Sequence, residues 1–544
     1  MTPRVWQILV AACASLCLAA PLAAADDAKT LTIVGTSDVF DSNLVQAVLK
    51  PQFELAYPQY TLNYVSKGTG AAIAYAEAGT ASGLLVHAAS LENQFVAQGY
   101  SAEQYGRAVF WGDYVLLGPA ADPAGVMANA PHDVVTAFER IAQAGAGGTA
   151  NFVSRGGTPG TTVQEHAIWA LTSGVSTCTV SDANGGGTSP STASGACPSS
   201  IKYPSWYHAT GLTQGPNVAN GDTCNYGGGG CYVFTDRGTF DYMVSTGAIH
   251  NLHEVTRDNA DTARGGNVLL VNSFHAYGIN PQKFAGQSNV QINSEAAIAF
   301  LDWVTSAAGQ TAVENYLGTS GDPPFRPDAM PAIAVDKTPA KVAGGRVLSI
   351  SGTVANVVPG TPPIAGATVT LSAVRTSVAA LNPVAQPVRV TTAKTGADGS
   401  FTVRCRPTAN AIYSISTAQI AQVVNATLSP VFGDLLSPAQ QSVGRVDVTG
   451  VVHVRRIRAT DVRVTVTGSL SPAAAGGGAR VSLYGSRKTS GPLHLIAKAP
   501  VEQGKKTFAI GDRLGSGTWR VQVKYSSAGQ IVPGVSAIRT IRVR

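Results

Sequence analysis

The sequence predicts an α/β region over residues 26–330, followed by two all-β sandwiches of immunoglobulin type over residues 331–445 and 446–544. Three observations carry this prediction. Up to residue 330, short apolar runs alternate with stretches of helical periodicity, the pattern of a largely parallel sheet with crossover helices. Beyond Pro331 the helical period stops, and period-two alternation between Gly and Pro turns replaces it. Two segments in that part then resemble each other, the mark of a tandem repeat.

The elements follow in order. Leu31-Thr32-Ile33-Val34 reads as a buried strand entering the hydroxyl-bearing turn Gly35-Thr36-Ser37-Asp38, with Leu44, Val45, Val48 and Leu49 at helical spacing behind it. The pattern repeats with a strand over 61–65, the turn Ser66-Lys67-Gly68-Thr69-Gly70 and a helix over 71–78. Strands at 84–86 and 114–117 flank a helix at 92–97, and a helix over 131–144 sets Val134, Val135, Phe138 and Ile141 on one face. Phe152-Val153-Ser154-Arg155-Gly156 then ends a strand. Thr162 and Glu165 fit a capping box, which starts a helix near Thr162 and leaves Thr161 to face a ligand. Residues 174–200 read as a polar surface loop. Strand, turn and helix start recur over 232–240, a strand over 268–271, and a helix over 294–307 that packs Ala297, Ile298, Leu301, Trp303 and Val304 inward. In the repeats, 349–354 and 366–371 match 465–470 and 478–483. Strand pairs at 400–403 and 411–415, and at 507–510 and 518–523, follow each.

The recurring strand, turn and helix start is the layout of an anion site. Backbone N–H groups at a helix start lack intrahelical partners and carry the positive end of the dipole. Arg155 and the nearby hydroxyls would add donors. The same stretch also reads as an ordinary capped helix after a polar turn. Asp38, Asp41 and Asp113 are scattered among caps and turns and read as structural. No His-x-x-x-His or Glu-x-x-His spacing and no nucleophile elbow occurs, so the sequence predicts neither an enzyme nor a metal site.

Only 13% of the residues are charged, and 59 Gly and 30 Pro suit a secreted, loop-rich chain. Residues 1–25 read as a signal peptide: Arg4, an apolar run over 5–22, then Ala23-Ala24-Ala25. Val10-Ala11-Ala12-Cys13 also fits a lipoprotein signal, with a short apolar run. No later run is long enough to span a membrane, so the expected location is periplasmic or extracellular, with envelope association open. In an oxidising compartment Cys178 with Cys197, and Cys224 with Cys231, are expected to close surface loops as disulfides; zinc is the rival reading, and Cys405 is left as a strand thiol. Residues 331–544 hold 25 Lys and Arg against 7 Asp and Glu, whereas residues 26–330 hold 12 against 25. The basic part suits an anionic partner, such as envelope lipid or acidic polysaccharide. Without aromatic interleaving, nucleic acid is not expected.

Several motifs in register carry a resemblance. Leu84-Leu85-Val86-His87-Ala88, Phe95-Val96-Ala97-Gln98-Gly99-Tyr100, Gly118-Pro119, Asp122-Pro123-Ala124-Gly125, Phe152-Val153-Ser154-Arg155-Gly156 and Thr235-Asp236-Arg237-Gly238-Thr239 resemble the substrate-binding component of tungstate ABC transporters over residues 29–328. The resemblance implies a two-lobed α/β periplasmic-binding-protein fold, type II-like, which clamps an oxyanion in its cleft and delivers it to an ABC permease. It implies tungstate or molybdate as ligand, no cofactor, and Thr36, Ser37, Thr69, Ser154, Arg155, Thr161 and Arg237 as ligand-binding residues, with no carboxylate acceptor. Gly157 and Pro159 depart from the family pattern and remove two side-chain groups. The spacing from Thr36-Ser37 to Asp41-Ser42 is one residue longer. The resemblance stops short of the β sandwiches, which leaves two other classes: a surface protein that binds through its basic domains, with a residual or phosphate- or sulfate-type anion site, and an enzyme acting on an anionic ester.

Overall fold

The computed structural model describes residues 29–544, apart from 181–186, 319–320, 383, 426–430 and 475–477. The expected signal segment, with Cys13 and Cys17, lies outside the described residues. Strands β1 (Thr30–Thr36), β2 (Thr61–Lys67) and β3 (Gly83–Val86) lie parallel and alternate with helices α1 (Ser37–Asp41), α2 (Lys50–Ala56), α3 (Thr69–Glu77) and α4 (Ala89–Ala97). Strand β4 (Gly106–Pro119) is 14 residues long, far beyond the 114–117 that apolar content marks in the sequence. Its first half pairs with one part of the sheet and its second half with another, so it serves as the crossover.

Helices α5 (Val126–Asn129) and α6 (Val134–Ala146) precede β5 (Ala150–Ser154) and α7 (Gly160–Leu171). The polar insertion is more than a loop: β6 (Thr177–Val180), β7 (Gly187–Pro190) and β8 (Gly195–Ala196) pair in a small sheet, because Cys178 bonds Cys197 and holds its ends together. Strand β9 (Tyr207–Ala209), α8 (Gln214–Thr223), β10 (Gly230–Asp236) and α9 (Arg237–Ser245) follow, with Cys224 bonded to Cys231. Then come β11 (Leu252–Thr256), β12 (Val271–Gly278), α10 (Ser294–Val304), α11 (Ala307–Glu314) and β13 (Phe325–Pro327). The apolar run at 268–271 is mostly a 3-10 turn, Asn267–Leu270, which delivers the chain to β12. Ile298 is 52% exposed, contrary to its expected inward packing; the apolar face of α10 is Ala296, Ala297, Phe300, Leu301 and Val304.

The central sheet runs β2-β1-β3-β12-β4-β10-β5-β9. Pairs β1/β2, β1/β3, β5/β10 and β5/β9 are parallel, while β4 and β12 run against their neighbours and divide the sheet into two lobes. Each lobe has its own core. Leu31, Ile33, Phe53, Phe110 and Phe300 mark one, and Phe138, Phe152, Trp169 and Tyr232 the other.

Two β sandwiches follow. In the first, Leu348–Ala355 pairs with Ala332–Val335 and Ser400–Cys405, facing a five-stranded sheet across a core that includes Ile350, Val369, Leu371, Phe401 and Ile415. In the second, Val451–Thr460, Arg463–Ser471 and Thr507–Arg513 face a sheet built on Ala479–Ser486 and Gly517–Ser527. Alternation is visible in Arg463–Ser471, where Val464, Val466 and Leu470 are buried. Cys405 is a half-buried thiol at the end of its strand.

One feature carries no signal in the sequence. The hairpin of Ile420–Asn425 and Phe432–Leu436 leaves the first sandwich and joins the central sheet, with Asp434 opposite Gly106 and Leu435 opposite Arg107 on β4. Asp434 Oδ1 lies 2.9 Å from His275 Nε2, and Glu92 Oε2 lies 2.9 Å from His275 Nδ1. A buried imidazole between two carboxylates thereby ties this hairpin to β12 and α4. Among the described residues no helix is long and apolar enough to cross a membrane.

Candidate functional site

The carboxyl ends of β1, β3, β5 and β10 point into the crevice between the lobes, where open parallel sheets place their ligands. Helices α3, α7 and α9 start there, with Gly68, Pro159 and Asp236 as N-caps. Each helix start turns the positive end of its dipole toward the crevice, although Gly70 N and Thr239 N are already bonded, to Thr158 O and Asp236 Oδ1.

The turns at these helix starts interlock. Gly70 N donates to Thr158 O across the lobes at 3.1 Å. A Cβ on Gly160 would stand 2.1 Å from His87 O, so this approach requires glycine. Gly156 and Gly157 both have positive φ, +69° and +68°, the left-handed region that favours glycine. Helix α7 begins at Gly160, and the Thr162–Glu165 capping box does not form. Glu165 instead accepts from Ser154 Oγ at 2.7 Å, Trp169 Nε1 at 3.0 Å and Tyr207 Oη at 2.6 Å. Burial pushes its carboxyl up to about 7, against the pull of those three donors.

The seven residues assigned from sequence separate into three groups. Thr36, Ser37, Arg155 and Thr161 come together in one buried cluster. The hydroxyls of Thr36 and Ser37 are buried without a hydrogen-bond partner. Arg155 Nη1 donates to Gln214 Oε1 at 2.7 Å and lies 3.6 Å from Asp38 Oδ1. Thr161 Oγ1 reaches Gln214 Oε1 at 3.2 Å and Asp38 Oδ2 at 3.5 Å.

Thr69 and Ser154 border the cluster with their hydroxyls already used. Thr69 Oγ1 donates to His87 O at 3.0 Å, and Ser154 Oγ donates to Glu165 while accepting from Gly156 N.

Arg237 points elsewhere. It is 1% exposed and grips Asp113 with two bonds of 2.7 and 2.9 Å, with further contacts to Pro323 O at 3.0 Å and Asp241 at 3.4 Å. Four of its five N–H donors are thereby committed.

Sequence reasoning missed Asp38, His87, Gln214 and Asp236. Asp38 is buried among the donors, with His87 Nε2 at 2.8 Å in an ionic contact off the hydrogen-bond line. The cluster therefore contains carboxylates, contrary to the expectation of donors alone. The extra residue between Thr36-Ser37 and Asp41-Ser42 was the available signal. Gln214 follows the insertion and carried none. Asp41 Oδ2 accepts from Gly215 N at 2.8 Å, a second bond between the lobes. A cavity of about 440 Å³ opens beside the cluster, lined by His87, Tyr114 and Gly160 on one side and by Asn272, Phe432 and Asp434 on the other. No group of three or more potential metal ligands occurs among the described residues.

The chain is similar to several known proteins. The PBP superfamily domain matches residues 22–308. A Haloferax volcanii protein described as an ABC transporter anion-binding protein is 31% identical over 309 residues, covering 56% of this chain and 73% of that relative. The tungstate-binding protein TupA of Peptoclostridium acidaminophilum is 27% identical over 310 residues, covering 55% of this chain and 86% of that protein. Among solved structures, the tungstate ABC transporter structure from Geobacter sulfurreducens is 25% identical, covers 54% of this chain and 100% of that one, and has a TM-score of 0.40.

Proposed function

The chain belongs to the PBP superfamily, and from that premise we propose that it is an exported solute-binding protein that captures a tetrahedral oxyanion between its lobes for an ABC permease. The observation that carries this reading is the pair of buried, unpartnered hydroxyls of Thr36 and Ser37 beside Arg155, where three helix starts meet. Buried polar atoms without partners are rare, and a ligand oxygen would supply what they lack. Thr161 and backbone N–H groups complete the donor set. Thr69 and Ser154 act by holding the turns, and Arg237 by holding α9 to β4. The role requires no catalysis and no cofactor. Tungstate and molybdate are the ligands the family resemblance implies. Calorimetric titration of the mature chain with tungstate, molybdate, sulfate and phosphate tests the reading: at least one binds at micromolar or lower concentration, and no heat with any of the four refutes it.

A second reading is favoured by the outer face of Val451–Thr460, Arg463–Ser471 and Thr507–Arg513. Arg456 and Arg458 stand opposite Thr467 and Thr465, and Arg463 stands opposite Arg513, all four arginines exposed. Like charges facing each other across strands destabilise a sheet unless an anion lies over them. An acidic polysaccharide of the cell envelope is the partner this flat, hydroxyl-rich face fits, and it would tether the receptor near its permease. Replacing the four arginines by Gln should lower the salt needed to elute the full chain from an immobilised polyuronate. An unchanged elution point excludes this face.

A further inference from the structure

Asp38 is 1% exposed, and its carboxylate faces three groups of the proposed anion seat: His87 Nε2 at 2.8 Å, Arg155 Nη1 at 3.6 Å and Thr161 Oγ1 at 3.5 Å. Its Oδ1 accepts no hydrogen bond, and the hydroxyls of its chain neighbours Thr36 and Ser37 are likewise unpartnered. From the other lobe, Asp236 adds a buried carboxyl whose Oδ1 caps Thr239 N at 2.8 Å and whose Oδ2 is unpartnered. The unsatisfied atoms of the cluster therefore include acceptors as well as donors.

Resting on the receptor reading above, we infer that Asp38 is the specificity-determining residue of the cleft: it accepts a hydrogen bond from a ligand oxygen that carries a proton. The preferred ligand is then a hydrogen oxyanion of the phosphate or arsenate class. Sulfate, molybdate and tungstate, which are fully deprotonated at neutral pH, are disfavoured.

A buried carboxylate oxygen against a bare oxyanion oxygen sets two like charges and two acceptors face to face in a medium that screens them poorly. One proton between them turns the contact into a short charge-assisted hydrogen bond. Phosphate and arsenate retain such a proton throughout the neutral range. The groups that set the ionisation of Asp38 come from every element around it: Asp41 on α1, Tyr64 on β2, His87 after β3, Tyr114 on β4, Arg155 after β5 and Asp236 on β10. Burial favours the protonated acid, but the charges of His87 and Arg155 outweigh it and hold Asp38 below the usual carboxylate range. Burial, reinforced by the charge on Asp38, holds the Asp236 carboxyl well above that range. Burial likewise keeps Tyr64 and Tyr114 neutral and raises Asp41. Asp38 offers the ligand an acceptor beside the donors of Thr36, Ser37 and Arg155, the complement of an oxyanion that bears a single O–H.

The test is calorimetry on the full mature chain with phosphate, arsenate, sulfate and tungstate, in two buffers of different ionisation enthalpy, for the native protein and Asp38→Asn. Phosphate or arsenate should bind the native protein at least about tenfold more tightly than sulfate or tungstate, because mismatched buried polar groups discriminate strongly. Any sulfate binding should take up one proton. The Asn variant, which can donate from its amide, should lose that preference. Tight sulfate or tungstate binding by the native protein without proton uptake, or a phosphate preference that survives in Asp38→Asn, overturns the inference and leaves the receptor reading standing. Failure of all four anions overturns the receptor reading and this inference with it. If Asp38→Asn does not fold, the native protein's preference and proton count decide.

Discussion

Arg155→Met weakens oxyanion binding by about 1.5–3 kcal/mol, the range for a lost charged hydrogen bond. The same change lowers folding stability by about 1.5–3 kcal/mol, since the charged bonds to Gln214 and Leu212 O are lost while Asp38 keeps His87. The guanidinium holds Gln214 at 2.7 Å, faces Asp38 at 3.6 Å and donates to Leu212 O at 3.3 Å, so it joins both lobes around the cleft. The pH dependence has a definite sign. In the native protein the lowered folded-state value of Asp38 contributes stability that is present above its unfolded value and lost as pH falls through the folded one. Without Arg155 the Asp38 value rises, so the variant's deficit is largest near neutral pH and shrinks on acidification. Urea denaturation of both proteins at pH 7 and stepwise below about pH 4, where an unfolded Asp gains its proton, checks this; a deficit that stays constant through that range contradicts the Asp38–Arg155 pairing.

Asp113→Ala costs about 3–5 kcal/mol of stability with little effect on ligand affinity. Asp113 lies on the crossover strand and receives two bonds from Arg237 on α9, one from Arg326 on β13 at 3.0 Å, and the Arg257 charge at 3.9 Å. Its loss leaves the buried Arg237 guanidinium beside Asp241 alone, at 3.4 Å. Denaturation midpoint and calorimetric affinity separate the two roles. A large drop in affinity with little loss of stability would return Arg237 to the ligand seat.

The legible part of the fold was the part that local pattern dictates. Strands β1, β3 and β5 are buried on both faces and read as apolar runs, and the hydroxyl turns after β1 and the edge strand β2 read as helix starts. The alternating strands of the sandwiches were equally plain, because one face of each meets a core. Strand β4 was not, since its first half mixes Arg107, Trp111 and Asp113 among apolar residues for partners distant in the chain. The 420–436 hairpin shows no local sign of joining a sheet three hundred residues upstream. In the candidate site, the turns that carry Thr36, Ser37, Arg155 and Thr161 were legible as helix starts, and the structure brings these four residues into one buried cluster. Arg237 was misjudged because a motif fixes its backbone position at a helix start but not the direction of its side chain. Asp38 read as a cap because the His87 that pairs with it lies 49 positions later, in the loop just after β3.

The position of the bound anion is open to direct measurement. Crystals of the mature protein soaked separately with arsenate and tungstate, and measured at the arsenic and tungsten absorption edges, locate it directly. An anomalous peak is expected in the crevice within hydrogen-bond reach of Thr36, Ser37 and Arg155, for arsenate at the lower soaking concentration. A peak confined to the arginine face of the second sandwich, with none in the crevice for either anion, would contradict it.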